Sequence, residues 1–264
     1  MNLKLVQLFT IDLAEKAGKI LLDNLDRVEI IKFKDRQDIA TNIDYKVENL
    51  IINKIKKNFP GHTINTEEKG IIKGKSDYTW IIDPLDGSKH YIRRLPLFNV
   101  SIALQHKNEI IFGLVYNPMT KEMFYAAKNK GAYLNGKRIK VSSKSNLKDS
   151  FIFAELPSCG MSRNKFNKNS KILTKLNLNS YCVRALGCGP LGLSYVASGA
   201  FEAYIALDIP PKIGDIAAGL LILKEAGGKY TDLKGNPLQL KEANNCLILA
   251  SNIKVHKAIL RLLK

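Results

Sequence analysis

The chain has 264 residues, 45% hydrophobic and 25% charged, with 41 Lys and Arg against 24 Asp and Glu for a net charge of +17. That composition fits one large or two small globular domains and excludes a disordered or fibrous chain. No apolar run reaches the ~18 residues of a membrane span. The cysteines (Cys159, Cys182, Cys188, Cys246) and histidines (His62, His90, His106, His256) are too scattered for a zinc site or a Ser-His-Asp or Cys-His pair, so the cysteines read as buried free thiols in a reducing cytoplasm.

Residues 3 to 24 place Leu5, Leu8, Phe9, Leu13, Ala17, Ile20 and Leu21 at helical spacing. Asp12 and Glu15 interrupt the apolar stretch, which therefore predicts an amphipathic helix and not a signal peptide. A second helix starts near Thr41, where Thr41 and Asp44 form a capping pattern, and carries Ile43, Val47, Leu50, Ile51 and Ile55 on one face. The run "YTWIID" (78 to 83) predicts a short buried strand, and residues 98 to 118 predict two strands joined at "HKNE". "EMFYAA" and "GAYLNGKRIKVS" extend a meander with a type I′ turn at Asn135-Gly136. The first half thus reads as two helices and a largely antiparallel sheet.

The second half alternates. "FIFAEL", "SYCVRAL" and "FEAYIAL" predict strands, each followed by a helix: 163 to 176, "PLGLSYVASG" and "GDIAAGLLILKEAGG". "GKYTD", "CLILAS" and a helix from about 254 close the chain. The pattern is that of a layered α/β (α+β) protein, one domain over 1–264 with halves of about 1–147 and 148–264. The net charge attracts anions. Its lysines are spread along the whole chain, the densest run (162 to 175) reads as a solvated helix face, and no RNA-recognition or finger signature appears. Nucleic acid is therefore not expected as a partner.

The chemistry gathers around "WIIDPLDGSKH" (80 to 90), where Asp83 and Asp86 end an apolar strand beside Pro84, Gly87 and Ser88. Two carboxylates this close repel unless a proton or a cation stands between them. Hard divalent ions such as Mg²⁺ take carboxylate oxygens and keep positions open for water and phosphate. In isolation, an acidic turn with Asp86 as a helix cap is the favoured reading of the stretch. Three further acidic segments stand in order: "TEEKG" with Glu67 and Glu68, "GDIAAG" with Asp215, and "DIATNID" with Asp44. Each taken alone reads as a cap or a surface acid.

Together these four segments closely resemble the motifs of the inositol monophosphatase-like, lithium-sensitive, metal-dependent phosphatases. "WIIDPLDGSKHYIRRLPLFNVSIAL" is similar to the first signature, "GDIAAGLLILKEAGG" to the second, "TEEKG" to the upstream glutamate motif and "DIATNID" to the N-terminal aspartate segment. The resemblance runs from about residue 5 to 255. It implies the αβαβα sandwich of sugar phosphatases and a site of two to three Mg²⁺ ions. It assigns Glu67, Asp83, Asp86, Asp215 and the Leu85 carbonyl to the metals. It assigns Asp44, Ser88 and Glu67 to activation of the attacking water, and Asp86 with the Gly87 and Ser88 amides to the phosphate. Arg184, in "YCVRALGCGPLG", matches an arginine common before that glycine, as a carboxylate partner or a substrate contact; Gly187 would face the substrate.

The substrate is less determined. Gly214 stands where animal members have tryptophan, and "AYIALDIPPKIGD" is two residues longer than their pattern, with Asp208 able to replace their sugar-contacting glutamate. The resemblance implies a cytoplasmic, often homodimeric hydrolase of a small phosphorylated metabolite, with inositol 1-phosphate the leading substrate and fructose 1,6-bisphosphate a second. "DPLDGSKHYI" also echoes phosphatases of 3′-phosphoadenosine 5′-phosphate. A reading of another class is an RNA- or polymerase-associated binding protein on the same fold.

Overall fold

The computed structural model describes residues 1–34, 39–157, 160–207, 213–238 and 248–264. Helices α1 (Leu3–Asp23) and α2 (Asn42–Asn58) flank a hairpin of β1 (Ile30–Phe33) and β2 (Ile39–Thr41). The capping pattern at Thr41 forms in full. Its hydroxyl accepts from the Ile43 and Asp44 amides, and the Asp44 carboxylate accepts the Thr41 N–H at 2.8 Å.

Next come β3 (Thr63–Thr66), β4 (Gly70–Ile72), β5 (Tyr78–Asp86) and the single-turn helix α3 (Ser88–Tyr91). The meander is β6 (Asn99–His106), β7 (Glu109–Asn117), β8 (Glu122–Ala127), β9 (Ala132–Leu134) and β10 (Lys137–Ile139). These strands form one sheet in the order β10-β9-β8-β7-β6-β5-β3-β4, antiparallel except for β3 beside β5. Asn135 and Gly136 both take positive φ, 49° and 79°, as a type I′ turn requires. Strands β1 to β4 are only three or four residues long, too short for alternation to announce them in the sequence.

The second half contains β11 (Phe151–Glu155), α4 (Arg163–Asn179), β12 (Cys182–Arg184), α5 (Gly189–Ala197) and β13 (Ala203–Ala206). It ends with α6 (Ile213–Glu225), β14 (Lys229–Asp232), β15 (Ile248–Ser251) and α7 (Ile253–Leu263). Its sheet has the order β12-β11-β13-β15-β14, with β11 parallel to both neighbours and β15 antiparallel to both of its own.

Side-chain alternation sorts these elements into layers. On β5, Trp80 and Ile82 pack with α1 and α2, while Ile81 faces α5 and α6. On the smaller sheet, Phe153 and Tyr204 face the same α5–α6 layer, and Ile152, Ala154 and Ile205 face α4 and α7 through Leu176, Val255 and Ile259. The order is helices, large sheet, helices, small sheet, helices: the expected αβαβα sandwich. Helix α6 is rich in small residues because it lies close against the large sheet. A Cβ at Gly113 of β7 would stand 2.9 Å from Ala218 Cα.

Candidate active site

Strands β5 and β6 stay in register up to Asp83 opposite Ser101, lose it across Pro84 and Leu85, and resume at Asp86 opposite Asn99. Proline lacks the N–H a ladder needs, so the irregularity falls where the sequence puts it. Asp83 is 3% exposed, and its Oδ1 accepts the Leu85 N–H at 3.0 Å. Asp86 Oδ2 accepts the Asn99 side-chain amide at 2.6 Å and the Cys188 thiol at 2.7 Å. Gly87 then turns the chain at φ 89°, where a Cβ would stand 2.6 Å from the Leu97 carbonyl oxygen. No other residue fits that turn.

Ser88 begins α3 with its Oγ 3.1 Å from Asp44 Oδ1 and 3.0 Å from the Leu85 carbonyl oxygen. The hydroxyl has one proton, so it serves one of these acceptors at a time. Asp44 is buried, and burial raises its carboxyl to about 6, against the opposing hydrogen bonds from Thr41 and Ser88. A carboxylate that takes a proton near neutral pH, joined to a hydroxyl, can act as a base.

Glu67 lies in the turn between β3 and β4. Glu48 of α2, fully buried, secures that turn by accepting the Glu68 and Lys69 amides on Oε1 at 3.0 and 3.1 Å. Lys34, just after β1, reaches Glu67 Oε1 at 2.9 Å and also contacts the Glu68 carboxylate. Asp215 stands in the first turn of α6. Burial pushes Asp83 well above the ordinary carboxylate range, and the charges of Glu67, Asp86 and Asp215 push it further. Asp86 rises to about 6, chiefly from burial, despite the Cys188 and Asn99 hydrogen bonds.

Three acids, from β5, α6 and the β3–β4 turn, thus converge electrostatically on one buried carboxylate, Asp83. Among the described residues, no three acidic, histidine or cysteine side chains close into a finished metal cage. The donor set nonetheless fits Mg²⁺. It consists of hard carboxylate oxygens with a backbone carbonyl, and like charges around buried Asp83 are the arrangement a divalent cation neutralises.

Asp44, Glu67, Asp83, Leu85, Asp86, Gly87, Ser88 and Asp215 therefore belong to one region of the molecule. Gly187 joins them from the second half: it takes φ 66°, and a Cβ there would stand 2.7 Å from His90 Cε1 of α3. Arg184 is exposed on edge strand β12, lies over the Phe151 ring at 5.8 Å and donates to the Val183 carbonyl; no ion pair joins it to an acid among the described residues. Asp208 lies outside the described residues, as do Cys159 and Cys246. Cys182 and Cys188 are free thiols, as expected.

Sequence reasoning did not single out Asn99, Cys188, Glu48 or Lys34. Glu48 left a signal: an acid one helical turn after Asp44, between the apolar positions Val47 and Ile51. Nothing in the sequence marks Lys34 or Cys188, whose roles come from distant parts of the chain.

Residues 2–264 match the model of the inositol monophosphatase family, and the chain belongs to that family. Among curated proteins it is 36% identical over 250 residues to Nus factor SuhB of Escherichia coli, covering 94% of this chain and 91% of that protein. Among solved structures, the extragenic suppressor protein suhB from Bartonella henselae superposes with a TM-score of 0.91 at 30% identity, covering 98% of each chain. An IMPase from Thermotoga maritima superposes with a TM-score of 0.85 at 32% identity, covering 97% of this chain and 95% of that one.

One expectation is corrected here. Nucleic acid is not excluded as a partner, because the curated relatives carry the name Nus factor and not that of a metabolic phosphatase. The reason is physical: polyanion binding needs only a positively charged surface and no sequence motif. No helix among the described residues is long and apolar enough to cross a membrane.

Proposed function

We propose that this chain is a Mg²⁺-dependent phosphomonoesterase for a small phosphorylated polyol, inositol 1-phosphate first, and that the same folded chain also serves as a Nus-type factor in association with RNA polymerase or RNA. The first role rests on one observation: buried Asp83 is ringed by Glu67, Asp86 and Asp215 beside the Asp44–Ser88 pair. The second is favoured by the curated relatives, where a Nus factor is 36% identical over 94% of the chain, against 32% identity to the Thermotoga IMPase.

In the hydrolytic role, Glu67, Asp83, Asp86, Asp215 and the Leu85 carbonyl would hold two to three Mg²⁺ ions. When bound, the metals lower the pKa of water and neutralise phosphate charge. Ser88 Oγ passes a proton from the attacking water to Asp44 Oδ1, whose burial keeps it basic near neutral pH. Asn99 and Cys188 hold Asp86 in one orientation by donating to the same carboxylate oxygen. The Gly87 and Ser88 amides offer N–H groups to the phosphate, and Gly187 lets the His90 ring pack against its backbone, where a Cβ would stand 2.7 Å from Cε1.

The test is phosphate release with Mg²⁺ from inositol 1-phosphate, fructose 1,6-bisphosphate and 3′-phosphoadenosine 5′-phosphate, with Asp83→Asn beside the wild type, and co-purification with RNA polymerase in parallel. Release from inositol 1-phosphate that disappears in Asp83→Asn supports the hydrolase. Release that survives Asp83→Asn, or none from any substrate, rejects it. Fastest release from 3′-phosphoadenosine 5′-phosphate moves the substrate assignment to a bisphosphate nucleotide. Polymerase association that survives Asp83→Asn supports the second role, and no association rejects it.

A further inference from the structure

The positive charge is unevenly distributed over the layers. Helix α4 carries Arg163, Lys165, Lys168, Lys171 and Lys175, and α7 carries Lys254, Lys257 and Arg261, with Lys264 at its end; neither helix contains Asp or Glu. These helices of 17 and 11 residues thus hold +8 of the chain's net +17. The opposite outer layer serves as an internal control. There α1 has three cations and three acids, and α2 four cations with two acids, Asp44 and Glu48, that are buried, so the exposed charge of that layer is +4 on 38 residues against +8 on 28 here. A merely lysine-rich composition would load both layers alike.

The geometry organises this charge. Helices α4 and α7 lie side by side on one face of the small sheet, sharing the cluster around Leu176, Val255 and Ile259, with Lys175 Nζ 3.5 Å from the Leu262 carbonyl. Lys165, Lys168, Lys171 and Lys175 follow one another at three- and four-residue steps, and so do Lys254, Lys257, Arg261 and Lys264. Each set is a stripe along its helix, with about 4.5–6 Å of axial rise between cations. All are exposed, and none pairs with a carboxylate among the described residues. Asp149, on the turn before β11, is an acid at the margin of this face. Like charges at such spacing destabilise a helix, so the stripes work against the fold. They also lie on the face of the small sheet opposite the α5–α6 layer, away from the acids of the candidate site.

Two further features narrow the occupant. Tyr181, directly after α4, is 76% exposed. Asn164, Asn167, Asn177 and Asn179 are exposed on the same helix. We propose that the α4–α7 face binds single-stranded nucleic acid, with the cation stripes on the phosphodiester backbone and Tyr181 stacked on an unpaired base. A duplex hides its base faces from such a ring, and amide side chains can pair with base edges, which a lipid surface lacks. This deepens the RNA association proposed above, on which it rests, by naming the surface and the strand; polymerase association and phosphate release can each fail while it stands.

The experiment is fluorescence anisotropy of a short labelled single-stranded RNA of mixed sequence with the full chain across a salt series. Single-stranded DNA of the same sequence, the RNA duplex and anionic phospholipid vesicles form the other arms. The variants are Lys168→Gln/Lys171→Gln/Lys257→Gln/Arg261→Gln, Tyr181→Ala, and Lys54→Gln/Lys56→Gln/Lys57→Gln on α2. Single strands should bind more tightly than the duplex or vesicles, and the RNA and DNA arms decide which strand is preferred. The quadruple variant should flatten the slope of log affinity against log salt by about 3, near 0.7 for each lost phosphate contact. Tyr181→Ala should weaken binding at unchanged slope, and the α2 variant should bind as wild type. No single-strand binding at low salt, equal losses from the α2 and α4–α7 variants, or preference for duplex or vesicles would each overturn the proposal. Phosphate release, which these surface variants leave intact, keeps its failure separate from that of the hydrolase.

Discussion

Glu48 is the residue through which helix α2 governs the turn carrying Glu67. Its Oε1 accepts two backbone N–H groups, from Glu68 at 3.0 Å and Lys69 at 3.1 Å. Glu48→Ala leaves both donors without their acceptor. At about 1–3 kcal/mol for each partly buried donor, the loss is roughly 2–6 kcal/mol, a large part of the 5–15 kcal/mol typical of a domain. Glu48→Gln keeps a carbonyl oxygen in place and loses only the charge assistance, so about half that cost is expected. Urea unfolding at pH 7 measures both. The Mg²⁺ concentration for half-maximal stabilisation supplies a second readout: it should rise in Glu48→Gln, because a loosened turn presents Glu67 less well. An alanine variant within about 1 kcal/mol of wild type, or equal losses for alanine and glutamine, would refute the reasoning.

Three further outcomes are expected. His256, buried between Thr231 Oγ1 and Ser251 Oγ at 2.9 Å each, is pushed down to about 4 by burial. Its contribution is fully present above pH 6.5 and is lost as pH falls toward 4, by up to about 3 kcal/mol; His256→Gln should flatten the urea midpoint between pH 7 and 4.5, and an unchanged slope rejects the assignment. Gly87→Ala should lower stability by at least about 2 kcal/mol from left-handed strain and the Leu97 carbonyl clash, read by thermal melting. If Asp44 is the base, kcat/KM for phosphate release should fall below about pH 6, the value to which burial raises it; bound cations would move that limb lower, and a profile flat to pH 4 would exclude Asp44 from the role.

The sequence disclosed most of the architecture because its longer elements have clean periods. Helix α2 shows Ile43, Val47, Ile51 and Ile55 at turn spacing, and all four are buried. Strand β5 alternates Trp80, Ile81 and Ile82 between two cores that its apolar run leaves unseparated in the sequence. What escaped was short or long-range. Strand β4 has three residues, and a three-residue strand carries no period. Cys188 reaches Asp86 across 102 positions, and Lys34 reaches Glu67 across 33. Such contacts are set by how the layers dock, which no local pattern records. The charge shows the same limit. The dense run at 162 to 175 is visible in the sequence as one basic helix, but that a second basic helix, α7, lies beside it emerges only once the layers are packed.

The buried acids bear on whether a chain with Nus-named relatives still needs its metal site. Asp83 is 3% exposed and feels three other carboxylates. Holding such a group charged in the interior costs several kcal/mol without a compensating cation. Lys34 offsets part of this at Glu67 and Glu68, and no equivalent ion pair is formed at Asp83 or Asp86 among the described residues. A scaffold used for partner binding alone would gain stability from replacing either aspartate with a neutral residue. Keeping both, together with Asp44, Ser88 and Gly87 in its strained turn, is understandable where the site still receives a divalent ion. The α4–α7 face imposes no conflicting demand, since it lies across the small sheet from that centre. The fold can therefore carry a hydrolytic cleft and a polyanion surface in separate layers, and substitutions in one need not disturb the other.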